Sequence, residues 1–143
     1  MIRFCAPCCA PIERTVTRAD KPIDDILADG TPYKPAGKFE GRVWLITGGD
    51  SGIGRATAIL AALEGANVSI VYLSKEQKDA EETRDYITQK TQGRSKVLLL
   101  PLDVKVEANA IKAVEETVAN FGRIDVLFNK SVASSPFRWG HSS

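Results

Sequence analysis

Residues 45–56 read LITGGDSGIGRA, and the spacing of Gly48, Gly52 and Gly54 in that stretch decides the fold. The glycines follow an apolar run and precede a segment of helical period, so they occupy a strand-to-helix turn. A dinucleotide brings its diphosphate close to the backbone, where free N–H groups at the positive end of a helix can meet it. Side chains would block that approach. Gly48 permits the tight turn, Gly52 the close contact, and Gly54 the packing of the helix on the strands. Thr47 and Ser51 add hydroxyls, and Ile53 completes the cofactor-binding turn.

Outward from this turn the chain alternates strand and helix. RVWLIT (42–47) reads as a short buried strand, and Ile53, Ala56, Leu60 and Leu63 recur at helical spacing until Gly65 offers a stop. NVSIVY (67–72) is a second strand, KEQKDAEETRDYITQK (75–90) a polar helix closed by Gly93, and KVLLLP (96–101) a third strand. Ala110, Val114, Val118 and Phe121 line one face of a third helix ending at Gly122, and IDVLF (124–128) is the fourth strand. Strands without polar alternation, separated by helices, are parallel strands joined by right-handed crossovers. The fold class is therefore α/β, a Rossmann-type doubly wound parallel sheet in the order 3-2-1-4, truncated after its fourth strand. Residues 1–40 are proline-rich and lack a sustained period, which predicts a flexible leader ahead of a partial nucleotide-binding domain at 41–129. An irregular tail occupies 130–143.

Composition narrows the partners. The 143 residues are 43% apolar and 26% charged, and 19 Lys plus Arg against 18 Asp plus Glu leave a formal charge of +1. That balance creates no field to gather nucleic acid or an anionic membrane. No apolar run approaches the roughly 20 residues of a membrane span, and no secretory h-region opens the chain, so the expected location is cytoplasmic. Arg3, Arg14 and Arg18 raise a mitochondrial transit peptide as the alternative, interrupted by Glu13 and Asp20. Cys5, Cys8 and Cys9 cluster in the leader, yet the sole histidine is the distant His141, so no metal site is expected and the thiols read as incidental.

The spacing T-G-x-x-x-G-x-G, with LDV (102–104) after the third strand and FGRIDVLFN (121–129) leading into the fourth, resembles the short-chain dehydrogenase/reductase family over about residues 38–129. GKFEGRVWLITGGDSGIGRA and VYLSKEQKDAEET look most like its general-stress and glucose-dehydrogenase branch. The resemblance implies an NAD(P)-dependent oxidoreductase that interconverts alcohols and carbonyls. It implies that Asp103 holds the adenine amino group, with the backbone of Val104 alongside; read locally, Asp103 is also a candidate helix N-cap. The residues that choose the cofactor stand at the end of the second strand, here Tyr72 and Leu73. Neither is a carboxylate for a ribose 2′-hydroxyl nor an arginine for a 2′-phosphate. The missing carboxylate favours NADP over NAD, with Lys75 the nearest cation, while Asp50 argues mildly the other way.

The resemblance stops at the fourth strand. The family's N-N-A-G motif is here Asn129, Lys130, Ser131 and Val132, so only Asn129 matches. A valine resists the positive-φ conformations open to glycine. The abrupt loss of motif and period predicts that residues from about Lys130 onward are frame-shifted or read from an unspliced intron. The family's catalytic serine and Y-x-x-x-K pair, and the helices of its usual dimer interface, belong to the second half of the fold. YITQK (86–90) repeats the Y-x-x-x-K spacing, but on a helix where the family places no chemistry. Tyr86 and Lys90 therefore read as a helix flank, and Ser131, Ser134, Ser135 and His141 as tail. No catalytic residue is assigned, and this chain by itself is expected to be inactive. The chain reads as an N-terminal fragment carrying the ADP-binding half of a dinucleotide site; a non-catalytic nucleotide-binding or interaction module is the alternative.

Overall fold

Apolar runs that do not alternate must be covered on both faces, and the chain achieves this with helices on either side of one sheet. The computed structural model describes residues 25–130. The strands are β1 (Val43–Thr47), β2 (Asn67–Tyr72), β3 (Val97–Pro101) and β4 (Val126–Asn129). The helices are α1 (Gly52–Leu63), α2 (Gln77–Thr91, entered through a 3-10 turn at Ser74–Glu76) and α3 (Glu107–Phe121). All pairings within the sheet are parallel and the order is β3-β2-β1-β4, the Rossmann arrangement. Thr47 pairs with Val71 on one side and Asn129 on the other, so β1, β2 and β4 end nearly level. The chain winds outward to β3 and then crosses back to β4, which places the topological switch at the carboxyl ends of β1 and β4.

Successive strand residues face opposite ways. Ile46, Val68, Ile70 and Tyr72 join Ala58, Ile59, Ala62, Ala80 and Ile87 in a core beneath α1 and α2. Leu45, Val71 and Leu100 meet Ala113 of α3 on the other face. Two expected helix faces are corrected by this packing. On α1 the buried set is Gly54, Arg55, Ala58, Ile59, Ala61 and Ala62, whereas Ile53 is 67% exposed. Small alanines let the helix approach the sheet closely, and that approach selects their side of the helix over the bulkier stripe. On α3 the buried residues are Ala113 and Thr117, while Val114 and Val118 lie open beside Ile111 and, on β4, Leu127. The apolar stripe of α3 is wider than the surface that covers it.

Polar contacts fix the ends of the strands. The Asp125 carboxylate accepts from the Val43 N–H (2.9 Å) and Arg42 Nη1 (3.0 Å), and also from the Arg123 guanidinium. The Asp125 N–H in turn donates to the Val43 carbonyl at 2.9 Å, and β4 proper starts at Val126 and not at Ile124. The Val43 N–H, followed by the two arginines, holds the Asp125 carboxyl below the usual range. Residues 25–40 of the expected leader are fastened at two places. Glu64 accepts from the Tyr33 hydroxyl and from the N–H groups of Ala36 (3.0 Å) and Lys38 (2.9 Å). Asp25 accepts from the Tyr86 hydroxyl (2.9 Å) and pairs with Lys90 Nζ (2.7 Å). Among the described residues no helix is long and apolar enough to cross a membrane.

Candidate functional site

The turn after β1 is shaped by four glycines, one more than the sequence spacing singled out. Gly48 donates its N–H to the Val71 carbonyl at 2.7 Å, which continues the ladder, and then leaves it at φ +68°. Gly52 opens α1 at φ +54°. A Cβ on Gly54 would stand 1.9 Å from the Gly48 carbonyl oxygen and 2.7 Å from its carbon, so loop and helix touch backbone to backbone. Gly49 is the residue the spacing missed: its Cβ would meet a γ-methyl of Ile70 at 2.9 Å. Only contact with β2 reveals that demand. Asp50 is 5% exposed, and its carbonyl accepts from Thr83 Oγ1 of α2 at 3.3 Å, which ties the loop to the neighbouring helix.

The N-terminus of α1 is uncapped. Ser51 is extended (φ −146°, ψ 162°), makes no side-chain cap, and the first turn holds no acid. The first N–H groups of a helix carry its positive pole, and an anion is their natural complement. Lys130, the first residue of the expected tail, stands here: its N–H donates to Thr47 Oγ1 at 3.0 Å, and its Nζ lies 3.7 Å from where a Gly52 Cβ would be.

The remaining expected residues spread along the carboxyl edge. Asp103 is not a helix cap, because α3 starts at Glu107 behind Val106. Instead its Oδ1 accepts from the Lys105 N–H at 3.0 Å in a tight turn, and its carbonyl accepts from Val106 N–H and Asn109 Nδ2. Its Oδ2 meets no donor among the described residues. Val104, Thr47 and Asn129 line an apolar groove of about 360 Å³ with Leu45, Val71 and Leu127. Tyr72 turns inward, buried in the core, and its hydroxyl donates to Gln77 Oε1. Burial pushes the Tyr72 phenol up. Leu73 is half-buried ahead of the 3-10 turn, and Lys75 is 74% exposed with only a 3.9 Å approach to Glu76.

YITQK belongs to the leader clasp. Tyr86 and Lys90 both bond to Asp25, and Lys90 Nζ and the Arg55 guanidinium lie 5.4 and 5.7 Å from the Tyr86 ring centre. Burial and then Asp25 raise the Tyr86 pKa. A tyrosine that exchanges protons near neutrality needs the opposite shift. Cys5, Cys8 and Cys9, and Ser131, Val132, Ser134, Ser135 and His141 of the tail, lie outside the described residues.

Comparison with known proteins agrees with this fold. The profile of the short chain dehydrogenase family matches residues 42–137. A glucose and ribitol dehydrogenase homolog from Arabidopsis thaliana is 48% identical over 99 residues, covering 68% of this chain and 34% of that protein. General stress protein 39 of Bacillus subtilis is 46% identical over 104 residues, 73% of this chain and 35% of its own length. The chain thus spans about a third of these relatives. Among solved structures, L-sorbose reductase from Gluconobacter frateurii, complexed with NADPH and L-sorbose, superposes with a TM-score of 0.64 at 28% identity, over 73% of this chain and 38% of that one.

Proposed function

Because the chain belongs to the short-chain dehydrogenase family, we propose that its glycine turn and the carboxyl ends of its strands take the adenosine diphosphate part of NAD(P) in an alcohol–carbonyl oxidoreductase. The observation that carries this reading is the contact between Gly48 and Gly54, where a Cβ would sit 1.9 Å from a carbonyl oxygen. Such backbone contact positions an uncapped helix end beside the turn, and no side chain intervenes between the two. The N–H groups of Gly52 and Ile53 then serve the diphosphate, with the Ser51 hydroxyl at the rim. Asp103 Oδ2 is the acceptor for the adenine amino group, and Val104 flanks the ring. Thr47 and Asn129, paired across β1 and β4, lie under the ribose.

NADP is the preferred form in this reading. At the end of β2 the Tyr72 side chain is withdrawn into the core and Leu73 is apolar, so no carboxylate is there to repel a 2′-phosphate. The similarity to an NADPH-bound reductase supports the same choice. When bound, the cofactor supplies the hydride; the residues described in this chain bind and orient it. Titration of the isotope-labelled chain with ADP-ribose, followed by amide shifts, tests the reading. The largest changes are expected at Gly48–Gly54, Asp103 and Val104. Changes confined to other surfaces, or none at millimolar ligand, would overturn it.

A further inference from the structure

We propose that Lys130 is a diphosphate-binding residue, delivering a cation to the glycine turn from the end of β4. The proposal rests on the nucleotide reading above and adds to it a residue that departs from the family's asparagine at this position. Three observations carry it. The first is placement. The pairing of Thr47 with Asn129 fixes where β4 ends, and the 3.0 Å bond from the Lys130 N–H to Thr47 Oγ1 fixes how the chain leaves it. The side chain therefore starts beside the last residue of β1 and reaches the first residue of α1, where its Nζ stands 3.7 Å from the open Cβ position of Gly52.

The second observation is electrostatic. α1 presents an uncapped N-terminus with no acid in its first turn, so its end is already positive. An ammonium held near a positive helix end is unfavourable in isolation, and among the described residues no carboxylate pairs with it. A doubly charged diphosphate reverses the sign of that interaction and satisfies both groups together. The third is space. Gly52 has no side chain, and among the described residues the one atom from elsewhere in the fold within 4 Å of its Cβ position is Lys130 Nζ at 3.7 Å, so apart from the lysine this flank of the helix end is open to a ligand. Lys75, a further cation near the strand ends, is 74% exposed and already close to Glu76. It lacks this enclosure.

The consequence is a site that reads diphosphate more strongly than nucleoside. Amide-shift titrations of the full chain with ADP-ribose and with adenosine, at low and high salt, test this in the wild type, Lys130→Gln and Lys130→Arg. Lys130→Gln keeps most of the stem and the backbone bond to Thr47. It is expected to weaken ADP-ribose about tenfold, the effect of one partly solvated charge-assisted bond. Adenosine affinity should be unchanged, Lys130→Arg should retain most of the ADP-ribose affinity, and the salt dependence should flatten in Lys130→Gln. Equal ADP-ribose affinity in wild type and Lys130→Gln would overturn the role of Lys130 while leaving the nucleotide site standing. Tighter binding by Lys130→Gln would overturn it too, by showing that the ammonium obstructs the site. Failure of the wild type to bind either ligand would remove the nucleotide reading itself, and the proposal with it.

Discussion

Gly54→Ala is the substitution on which the backbone geometry speaks most directly. The added methyl carbon would sit 1.9 Å from the Gly48 carbonyl oxygen, 2.7 Å from the Gly48 carbonyl carbon and 3.1 Å from Gly49 Cα. All three are main-chain atoms, so no rotamer change relieves the overlap, and the loop must move away from α1 by more than an ångström. Overpacking typically costs about 1–3 kcal/mol, and a backbone clash this deep belongs at the upper end, about 3 kcal/mol. For a domain of roughly 100 residues that lowers the melting temperature by about 12–24 °C. Two controls separate the clash from other glycine effects. Gly93→Ala places a methyl where nothing lies within 4 Å, so only the strain of φ +74° remains, about 1–2 kcal/mol. Gly49→Ala meets the γ-methyls of Ile70 and Ile46 at 2.9 and 3.3 Å, which can partly yield, and should fall between them. Urea unfolding followed by tryptophan fluorescence measures the series. If Gly54→Ala proves no more destabilising than Gly93→Ala, the account of the turn as a backbone contact is wrong.

The other predictions concern the leader, pH and the open sheet edge. Tyr86→Phe should cost about 1 kcal/mol and speed amide exchange in residues 25–33, while leaving nucleotide affinity, and any NAD(P)-dependent turnover, as in the wild type; a loss of turnover would return YITQK to the list of catalytic candidates. Glu64 is held below the usual carboxylate range by the Tyr33 hydroxyl first and then the Lys38 and Ala36 N–H groups, and Asp125 chiefly by the Val43 N–H. Both lowered pKa values contribute stability that is present above the unfolded values and lost as pH falls below about 4. Glu64→Gln should therefore be less stable than wild type at pH 7, with the gap narrowing in acid; a gap that widens in acid would contradict the assignment. Leu127, 55% exposed on β4 near Val114 and Val118, should drive self-association of this chain, reduced by Leu127→Lys on light scattering. Monomeric wild type at millimolar concentration would refute that.

The order of elements was legible because each strand is an uninterrupted apolar run, and glycines mark the turn into α1 and the ends of α2 and α3. The faces of the helices were not. Periodicity announces an apolar stripe, but Ile53, Val114 and Val118 belong to such stripes and remain exposed, because burial is decided by which flank packs most closely. On α1 that flank is Ala58, Ala61 and Ala62, whose small side chains read as unremarkable in a sequence. Asp25 and Glu64 were equally hidden. Their partners Tyr86 and Tyr33 lie 61 and 31 residues away, and no local pattern joins them. Lys130 was visible only as a broken motif; its reach back to Gly52 follows from the parallel register of β1 and β4, which spacing alone does not supply.

The two ends of the sheet use their polar groups in opposite ways, and this asymmetry explains why binding is assigned to one of them. At the amino end the groups are spent on the protein: Asp125 ties β1 to β4 and to two arginines, and Glu64 holds Tyr33, Ala36 and Lys38. These contacts fix strand ends and leader, and they leave little to offer a ligand. At the carboxyl end α1 begins without a cap, and Asp103 keeps one carboxylate oxygen outside its own turn. Lys130 directs an ammonium into the space that Gly52 leaves empty. A parallel sheet aligns its helix N-termini toward this same edge, so the donors there share one sense of polarity. Stability alone would favour capping them, by an acid in the first turn of α1 or a serine turned onto its N–H groups. Left open, the N–H groups of Gly52 and Ile53, both exposed, are met by water, and in the proposed reading an anionic ligand with a hydrogen-bonding base takes the place of the missing caps.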